Sequence, residues 1–376
     1  MTIIFLALVA ILLSVFSAAV FAGHFFIYYS LKKFFAVEDR RVKKRLIIVL
    51  ACLAVSFGTA SAVAHFSANP ITQAFYFLAG LWLGFAMNLD MALALGWIIA
   101  GTGRLFGKYL NLRIIGIVAI FAAIIFSGYG VWNAYTPQIK EVTIKIKNLP
   151  VSWQNKKVIQ LSDAHLGHVF GDWFLERAVA KANEYNPEAV FITGDLFDGM
   201  DGHLIDYAAP LDQSTAPRGT YFVTGNHETY LGVSDTYHAL SKTKVKILKD
   251  EAVNVDGLQI VGVAFPERSE TMAIGEVIKK IPGFNPDLPS VLLYHSPFEA
   301  EEAKDAGIDL MLSGHTHAGQ VFPFNILMKI IFWGKEYGLY RDGDFSLYTT
   351  SGLGTWGPTM RTFSRPEIVV ITLENK

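Results

Sequence analysis

Five short polar clusters in the second half of the chain hold most of the residues that could carry out chemistry. They are Asp163-Ala164-His165, Gly194-Asp195-Leu196-Phe197-Asp198, Gly225-Asn226-His227-Glu228, His295 and Gly314-His315-Thr316-His317. Carboxylate, amide and imidazole ligands without a thiolate suit Mn, Fe or Zn. Seven candidate ligands exceed the needs of one tetrahedral ion and fit two ions that share a carboxylate. Two ions roughly 3.5–4 Å apart can activate water and clamp a phosphoryl group.

Each cluster follows a short apolar run, rich in β-branched residues, that is typical of a buried strand. In chain order the runs are VIQLS, AVFIT, TYFVT, SVLLY and IDLMLS. Ligands in open α/β sheets collect beyond the carboxyl ends of strands, so we expect the five clusters to meet. Asp163 with His165, and His315 with His317, would project to one side in extended backbone. Three glycines are expected to permit close backbone approach where a Cβ would interfere: Gly194, Gly225 and Gly314.

The alternative for any single histidine is a buried ring that hydrogen-bonds to backbone, because isolated motif matches often mislead. Five clusters in this order, each after a predicted strand, favour a metal centre over that alternative. Three histidines of the predicted catalytic domain fall outside the pattern. We expect His203 and His238 at the surface, and His168 either there or at the rim of the site, where it would bind substrate.

The series DxH, GDxxD, GNHE, H and GHTH resembles the calcineurin-like metallophosphoesterase superfamily, and every motif position is filled. The similarity extends from about Val142 to Leu373. The segments PRGTYFVTGNHE, GHTHAGQV and SGLGTWGPTMR are most similar to the bacterial membrane-associated branch. The resemblance implies a two-sheet αββα sandwich and a metal-dependent phosphoric ester hydrolase.

The same resemblance implies a role for each motif residue. Two divalent ions, Mn, Fe or Zn, would be bound, with Asp195 bridging them. The first ion would be held by Asp163, His165, Asp195 and His317, and the second by Asp195, Asn226, His295 and His315. His227 would contact the phosphate and assist the leaving group, and Glu228 would orient His227.

The front of the chain is apolar enough to enter a membrane. Of the 376 residues of the whole chain, 52% are hydrophobic. Residues 1–31 contain no Asp, Glu, Lys or Arg. A span needs about 20 apolar residues. We therefore predict a membrane anchor, residues 1–135, before a catalytic domain, residues 136–376. The four transmembrane helices of the anchor are expected at residues 3–29, 46–66, 73–100 and 114–134. A soluble helical domain would show polar faces instead, and residues 1–29 run too long for a signal peptide.

Charged residues in the predicted loops indicate the orientation. The first loop holds seven Lys and Arg and the third holds three, whereas the second holds none. Basic short loops stay in the cytoplasm. Both ends of the chain and the catalytic domain are therefore expected outside the cytoplasmic (inner) membrane. Residues 136–376 carry 22 Lys and Arg against 30 Asp and Glu, which argues against nucleic acid as a substrate.

Asp90 is the one acidic residue inside a predicted span. A carboxylate there is costly and needs a partner or a function. We favour a hydrogen bond between helices, to Asn88 or Thr72, over a role in transport.

Two stretches after His317 each have two interpretations. Residues 322–333 are unusually apolar; they could belong to the core, or dip into the bilayer and guide a lipid headgroup. The Gly-rich residues 352–358 could form a tight turn between strands, or place their amides or Arg361 on the substrate.

These patterns predict a membrane-anchored di-metal enzyme that hydrolyses a phosphoester or pyrophosphate. Its expected partners are membrane lipids and a phosphorylated, lipid-linked substrate. By resemblance, UDP-2,3-diacylglucosamine pyrophosphatase activity in lipid A synthesis is an alternative, but it requires a cytoplasmic site. An inactive metal-bound membrane sensor is an alternative of another class, and the presence of His227 and Glu228 disfavours it.

Overall fold

Four long helices begin the chain in the computed structural model, which describes residues 2–267 and 273–376. They are α1 (Thr2–Phe34), α2 (Arg40–Ala64), α3 (Pro70–Leu105) and α4 (Leu112–Ala134). Each contains a stretch long and apolar enough to cross a membrane. The last three begin before the predicted positions because Asp39, Asn69 and Asn111 accept first-turn amides as N-caps.

Polar side chains connect the helices inside the bundle. Trp82 Nε1 donates to His24 Nε2 at 2.9 Å, and Asn88 donates to Ser127 at 2.9 Å. Such bonds stabilise helix packing in a membrane. The predicted partner of Asp90 is wrong, because Asn88 bonds to Ser127 and Thr72 belongs to the N-cap of α3. Asp90 packs against Gly23, and its Oδ1 has no hydrogen-bond partner among the described residues.

The rest of the described chain forms two six-stranded sheets. The strands are β1 (Gln138–Ile146), β2 (Lys156–Leu161), β3 (Ala189–Thr193), β4 (Thr220–Val223), β5 (Lys246–Ile247), β6 (Glu251–Val255), β7 (Leu258–Gly262), β8 (Ser290–Leu293), β9 (Leu310–Ser313), β10 (Gly338–Asp342), β11 (Phe345–Thr349) and β12 (Glu367–Asn375). The first sheet has the order β1-β12-β2-β3-β4-β5, and the second has the order β10-β11-β9-β8-β7-β6.

Among the described residues, seven short helices lie between the strands of the two sheets, and five of them cover the outer faces. The seven are α5 (Asp172–Asn183), α6 (Leu204–Ala208), α7 (Asn226–Leu231), α8 (Val233–Leu240), α9 (Ile274–Lys280), α10 (Ala300–Asp305) and α11 (Phe324–Ile331). Helices α5, α6 and α8 pack on the first sheet, and α9 and α10 pack on the second. Apolar side chains such as Trp153 and Tyr221 fill the space between the sheets. The predicted αββα sandwich is confirmed.

The carboxyl ends of the central strands meet at one edge of the sandwich. Strands β2, β3 and β4 are parallel in one sheet, as are β7, β8 and β9 in the other. Gln160 at the end of β2 donates to the Ser313 carbonyl of β9 at 2.9 Å, which joins the two sheets. The polar clusters follow these strand ends, as predicted, so both sheets contribute to the same site.

The catalytic domain rests on the membrane helices at the end where α2 leads into α3. The Ala68 amide donates to Asp201 at 3.0 Å, and the ring of His168 bonds to the Ser67 carbonyl at 3.2 Å. Residues 65–69 carry no Asp, Glu, Lys or Arg. The basic loops lie at the opposite ends of these helices.

Candidate metal centre

Asp163, His165 and His317 form a first cluster. Their ligand atoms lie within 4.8 Å of one another, and all three residues are buried. The Nε2 atoms of His165 and His317 are 3.0 Å apart, and Asp163 Oδ1 is 3.4 Å from His317 Nε2. Residues more than 150 positions apart in sequence therefore share one buried polar point.

Asp195, His295 and His315 form a second cluster beside the first, again within 4.8 Å of one another. His295 Nε2 lies 3.1 Å from Asp195 Oδ2 and 3.1 Å from Asn226 Oδ1, so Asn226 belongs to this cluster. Asp195 Oδ2 is also 3.9 Å from His165 Nε2 of the first cluster. The Asp195 carboxylate thus lies between the two clusters.

The donor atoms of these residues suit a divalent cation. His295 Nδ1 donates to the Thr193 carbonyl at 2.8 Å, so Nε2 faces the cluster. Although burial lowers the pKa of His295, the charge of Asp195 and its hydrogen bond raise it to about 10, so a cation bound there would replace the Nε2 proton. Burial, reinforced by the charge of His295, lowers the pKa of His315 to about 3, so the His315 ring is neutral at pH 7. Neutral imidazoles, carboxylates and an amide oxygen form the O/N donor set that Mn, Fe or Zn prefers. The residues therefore fit a divalent metal centre.

The backbone of most candidate ligands is left-handed rather than extended. The φ angles are 52° at Asp163, 48° at His165, 49° at Asp195, 72° at His315 and 50° at His317. The expectation that the paired ligands project from extended backbone is therefore wrong. Left-handed residues other than glycine cost free energy and cluster at functional sites. Bonds to neighbouring clusters hold them, such as His315 N to Asp163 Oδ1 at 2.9 Å.

The three motif glycines allow close approach, as expected. A Cβ at Gly194 would lie 2.6 Å from Nδ1 of His295. A Cβ at Gly225 would overlap Asp195 Oδ1, and one at Gly314 would overlap Asp163 Oδ2. Each glycine thus leaves room for a ligand of a neighbouring motif.

Glu228 does not orient His227 as expected. It accepts backbone N–H groups from Gly225 at 2.6 Å, Asp195 at 3.0 Å and Phe197 at 3.1 Å. Burial and the charge of Asp195 raise the pKa of Glu228 to about 7, and the amide donors of Gly225 and Phe197 oppose that rise. Because both oxygens accept N–H groups, the pocket suits the carboxylate. Glu228 therefore ties the GDxxD turn to the GNHE turn.

His227 is fixed by a different group. Its Nδ1 donates to the Asp198 carbonyl at 2.8 Å, so Nε2 is the nitrogen available to a substrate oxygen. Burial lowers the pKa of His227. The charge of Asp195 opposes this shift, and the charge of His165 adds to it. Asn226 and His227 begin helix α7.

Arg361 is not placed to bind substrate, which corrects the expectation. It is 0% exposed, and its guanidinium bonds to the carbonyls of Ser351 and Gly354, to Ser364 Oγ, and to His317 Nδ1 at 3.0 Å. Burial and the charges of His165 and Arg361 lower the pKa of His317. Arg361 therefore supports a metal ligand.

His168 is also buried, and its Nε2 bonds to Ser67 while its ring packs 5.7 Å from that of Tyr76. This places it at the junction with the membrane helices, not in substrate contact. His203 and His238 are exposed, as expected.

Asp198 was missed by the sequence analysis. Its Oδ1 lies 3.5 Å from His165 Nδ1, and the two atoms have no hydrogen-bond partner in the described part of the chain. A carboxylate beside the second nitrogen of a ligating histidine orients the ring and raises its basicity. The sequence signal for Asp198 is its place as the last residue of the GDxxD motif.

Comparison with known proteins agrees with this geometry. A family profile described as Calcineurin-like phosphoesterase matches residues 156–319. An uncharacterized metallophosphoesterase of Campylobacter jejuni is 34% identical over 271 residues, which cover 71% of this chain and 70% of that protein. The chain belongs to the calcineurin-like metallophosphoesterase family.

Two further relatives extend the match. A protein of Danio rerio named transmembrane protein with metallophosphoesterase domain is 35% identical over 277 residues, 69% of this chain and 62% of that protein. An uncharacterized metallophosphoesterase of Aquifex aeolicus is 30% identical over 268 residues, 68% of this chain and 99% of that protein. With its four apolar helices, this metallophosphoesterase is a membrane protein and a metal-dependent phosphoester hydrolase.

Proposed function

We propose that this metallophosphoesterase uses two divalent ions to hydrolyse a phosphoester or pyrophosphate bond in a lipid-linked substrate. The reaction takes place at the outer surface of the cytoplasmic membrane. The observation that carries the lipid-linked substrate is α11, an apolar helix that stands exposed next to the metal centre.

Helix α11 has no buried residue, although most of its side chains are apolar. Ile330 is 65% exposed and Trp333, just beyond the helix, is 75% exposed. The core interpretation of residues 322–333 therefore applies only to single side chains such as Phe332. An exposed apolar helix of this kind favours a membrane interface.

The apolar surface begins beside a metal ligand. The buried ring of Phe332 lies 6.2 Å from the ring of His315. At the other end of α11, the Phe322 amide donates to Thr362 Oγ1 at 3.3 Å, and the methyl of Thr362 packs on Gly130 of α4. Helix α11 is therefore linked to both the metal centre and a membrane helix, where it can meet a lipid whose phosphate reaches the metals.

The chemistry follows from the two clusters and His227. A bound divalent pair supplies an activated water and neutralises phosphoryl charge. Asp195 lies where it can ligate both ions. His227, held by Asp198 through Nδ1, can give a proton from Nε2 to the leaving oxygen when its ring is protonated.

The lipid preference can be tested by exchanging exposed side chains of α11. Ile326→Ser with Ile330→Ser should lower turnover of a vesicle-embedded phospholipid ester by on the order of tenfold, because apolar contact with the bilayer is lost. Turnover of a soluble p-nitrophenyl phosphodiester should stay within about twofold. Phe332 is kept because it packs on His315. Leu288→Ser, an exposed apolar residue before β8, is the control; equal losses on both substrates would contradict the proposal.

The outward orientation has its own test. The domain rests on the uncharged end of the bundle, away from the loops that hold ten Lys and Arg, and basic loops stay in the cytoplasm. A reporter that is active only outside the cytoplasm should be active when fused after Lys376. A silent fusion, with a cytoplasmic reporter active instead, would reverse the orientation.

A further inference from the structure

Residues 350–366, between β11 and β12, are here called the bridging loop. This loop contacts the first cluster of candidate ligands. The Leu353 amide donates to the Ser162 carbonyl at 2.8 Å, and the Gly354 amide donates to the Asp163 carbonyl at 2.7 Å. Ser364 Oγ donates to the His317 carbonyl at 2.7 Å. The loop thus holds the backbone of two candidate ligands, including Asp163 in its left-handed conformation.

The opposite side of the bridging loop enters the groove between α3 and α4. The Arg361 amide donates to the Gly130 carbonyl at 2.9 Å. Asn133 Nδ2 donates to the carbonyls of Arg361 at 2.8 Å and Ser364 at 3.0 Å. The side chain of Met360 is fully buried in this groove, and Asn88 Nδ2 lies 3.5 Å from its sulfur.

Glycines make the groove. A Cβ at Gly84 of α3 would lie 2.7 Å from the Met360 methyl carbon. A Cβ at Gly130 of α4 would lie 2.7 Å from Thr362 Cγ2 and 3.2 Å from Met360 Cβ. The end of the Met360 side chain can bend aside, whereas its Cβ moves only with the backbone and the Thr362 methyl only by leaving its χ1 rotamer. Gly130 is therefore the position where the loop and the helix fit most tightly.

Arg361 connects the two sides of the loop. Its backbone is bonded to α4, and its guanidinium donates to His317 Nδ1. A guanidinium can only donate, so Nδ1 is the acceptor, and Nε2 of the same ring faces His165 at 3.0 Å. A displacement of the loop by α4 would move this contact together with the His317 carbonyl.

We propose that α3 and α4 position the metal centre, by holding residues 360–362 of the bridging loop in their groove so that the loop fixes Asp163 and His317. Arg361 and Asn133 are positioning residues, and the membrane helices are part of the site rather than an anchor alone. The proposal rests on the proposed function because it assumes that the first cluster binds a divalent ion. It adds a dependence of metal affinity on helix packing.

The test compares two glycines of α4 in the full-length protein. Gly130→Leu fills the groove, whereas Gly128→Leu is the matched control because a Cβ there meets nothing within 4 Å. Mn²⁺ affinity is measured by calorimetric titration of the chelator-treated protein, and p-nitrophenyl phosphodiester turnover is measured against Mn²⁺ concentration. We expect Gly130→Leu to bind Mn²⁺ about tenfold more weakly or worse, the usual cost of losing support for a metal ligand. Excess Mn²⁺ should restore turnover, which it would not do for a misfolded protein.

A smaller change keeps the test decisive where the leucine variant does not fold. Gly130→Ala adds one methyl group and should weaken Mn²⁺ binding more than Gly128→Ala, although both changes raise helix propensity equally. Thr362→Ser removes the opposing methyl and should restore part of the affinity lost in Gly130→Ala. Unchanged affinity in the Gly130 variants, or equal losses in the Gly128 variants, would overturn the proposal. Absence of Mn²⁺ binding and turnover in the wild type would instead refute the proposed function.

Discussion

The two halves of the metal centre lie side by side but are supported by different parts of the molecule. The second cluster is held within the catalytic domain, where Glu228 accepts amides from both neighbouring turns and His295 bonds to Thr193. The first cluster depends on the bridging loop, and the loop in turn is bonded to α4. One half therefore depends on the fold of the sandwich alone, and the other also depends on the membrane helices.

This difference separates two ways of losing activity. A change in the sandwich core should affect the second cluster through the Glu228 bonds. A change in the bundle should reach the first cluster and leave the second intact. Asp195, which lies within reach of both, and the bond from the His315 amide to Asp163 couple them directly. Substitutions at four positions test this division, beginning with the largest expected effect.

Asp195→Asn should disable both clusters, so that neither is lost independently of the other. The amide keeps the shape but loses the charge that would bind two cations, so metal content and turnover should fall together. The loss of turnover should exceed the ~100-fold typical of removing an outer partner of a ligand. Metal analysis by plasma mass spectrometry, paired with the diester assay, measures both. Full metal content in an inactive variant would show that Asp195 is not a shared ligand.

His227→Ala should leave both clusters loaded while removing catalysis. The ring bonds to the Asp198 carbonyl rather than to a ligand, so metal content should stay near that of the wild type. Turnover should fall by about 10²–10⁴-fold, the range for a positioned acid or base. An ester with a very acidic leaving group departs without a proton, so its rate should fall less. Loss of metal, or an equal fall for both esters, would contradict the assigned role.

The sequence predicted the residues of the two clusters but not their supports. The five strands that precede the clusters could be predicted because a buried run leaves a local pattern, and the candidate ligands follow those runs. The left-handed backbone at Asp163 and the bonds of Glu228 and Arg361 depend on contacts between segments far apart in sequence. No local pattern encodes such contacts. The same limit explains why the Gly-rich residues 352–358 were considered a turn or a substrate loop and not a bridge to α4.

Glu228→Gln should damage the second cluster selectively. The glutamine amide would place an NH₂ group against a backbone N–H that now donates to a carboxylate oxygen. An unsatisfied buried donor costs about 1–3 kcal/mol, so the melting temperature in detergent should fall by several degrees. Mn²⁺ titration should lose one of two binding events while the other persists. Simultaneous loss of both events would show that the clusters share the Glu228 support.

Asp198→Asn should give the smallest effect and confine it to the first cluster. The carboxylate lies 3.5 Å from His165 Nδ1. Burial alone would lower the pKa of His165, but Asp198, Asp195 and Asp163 together outweigh burial and raise it. Asparagine keeps an oxygen for the Nδ1–H but removes the charge, so the His165 ring becomes a weaker base. Mn²⁺ affinity should fall about tenfold, the low end for an outer partner. Asp198→Leu also removes the acceptor, so its Mn²⁺ affinity should fall further. Asp206→Asn, at an exposed residue of α6, is the control. An Asp198→Asn variant that binds as tightly as the wild type would show that the ring needs no charged partner.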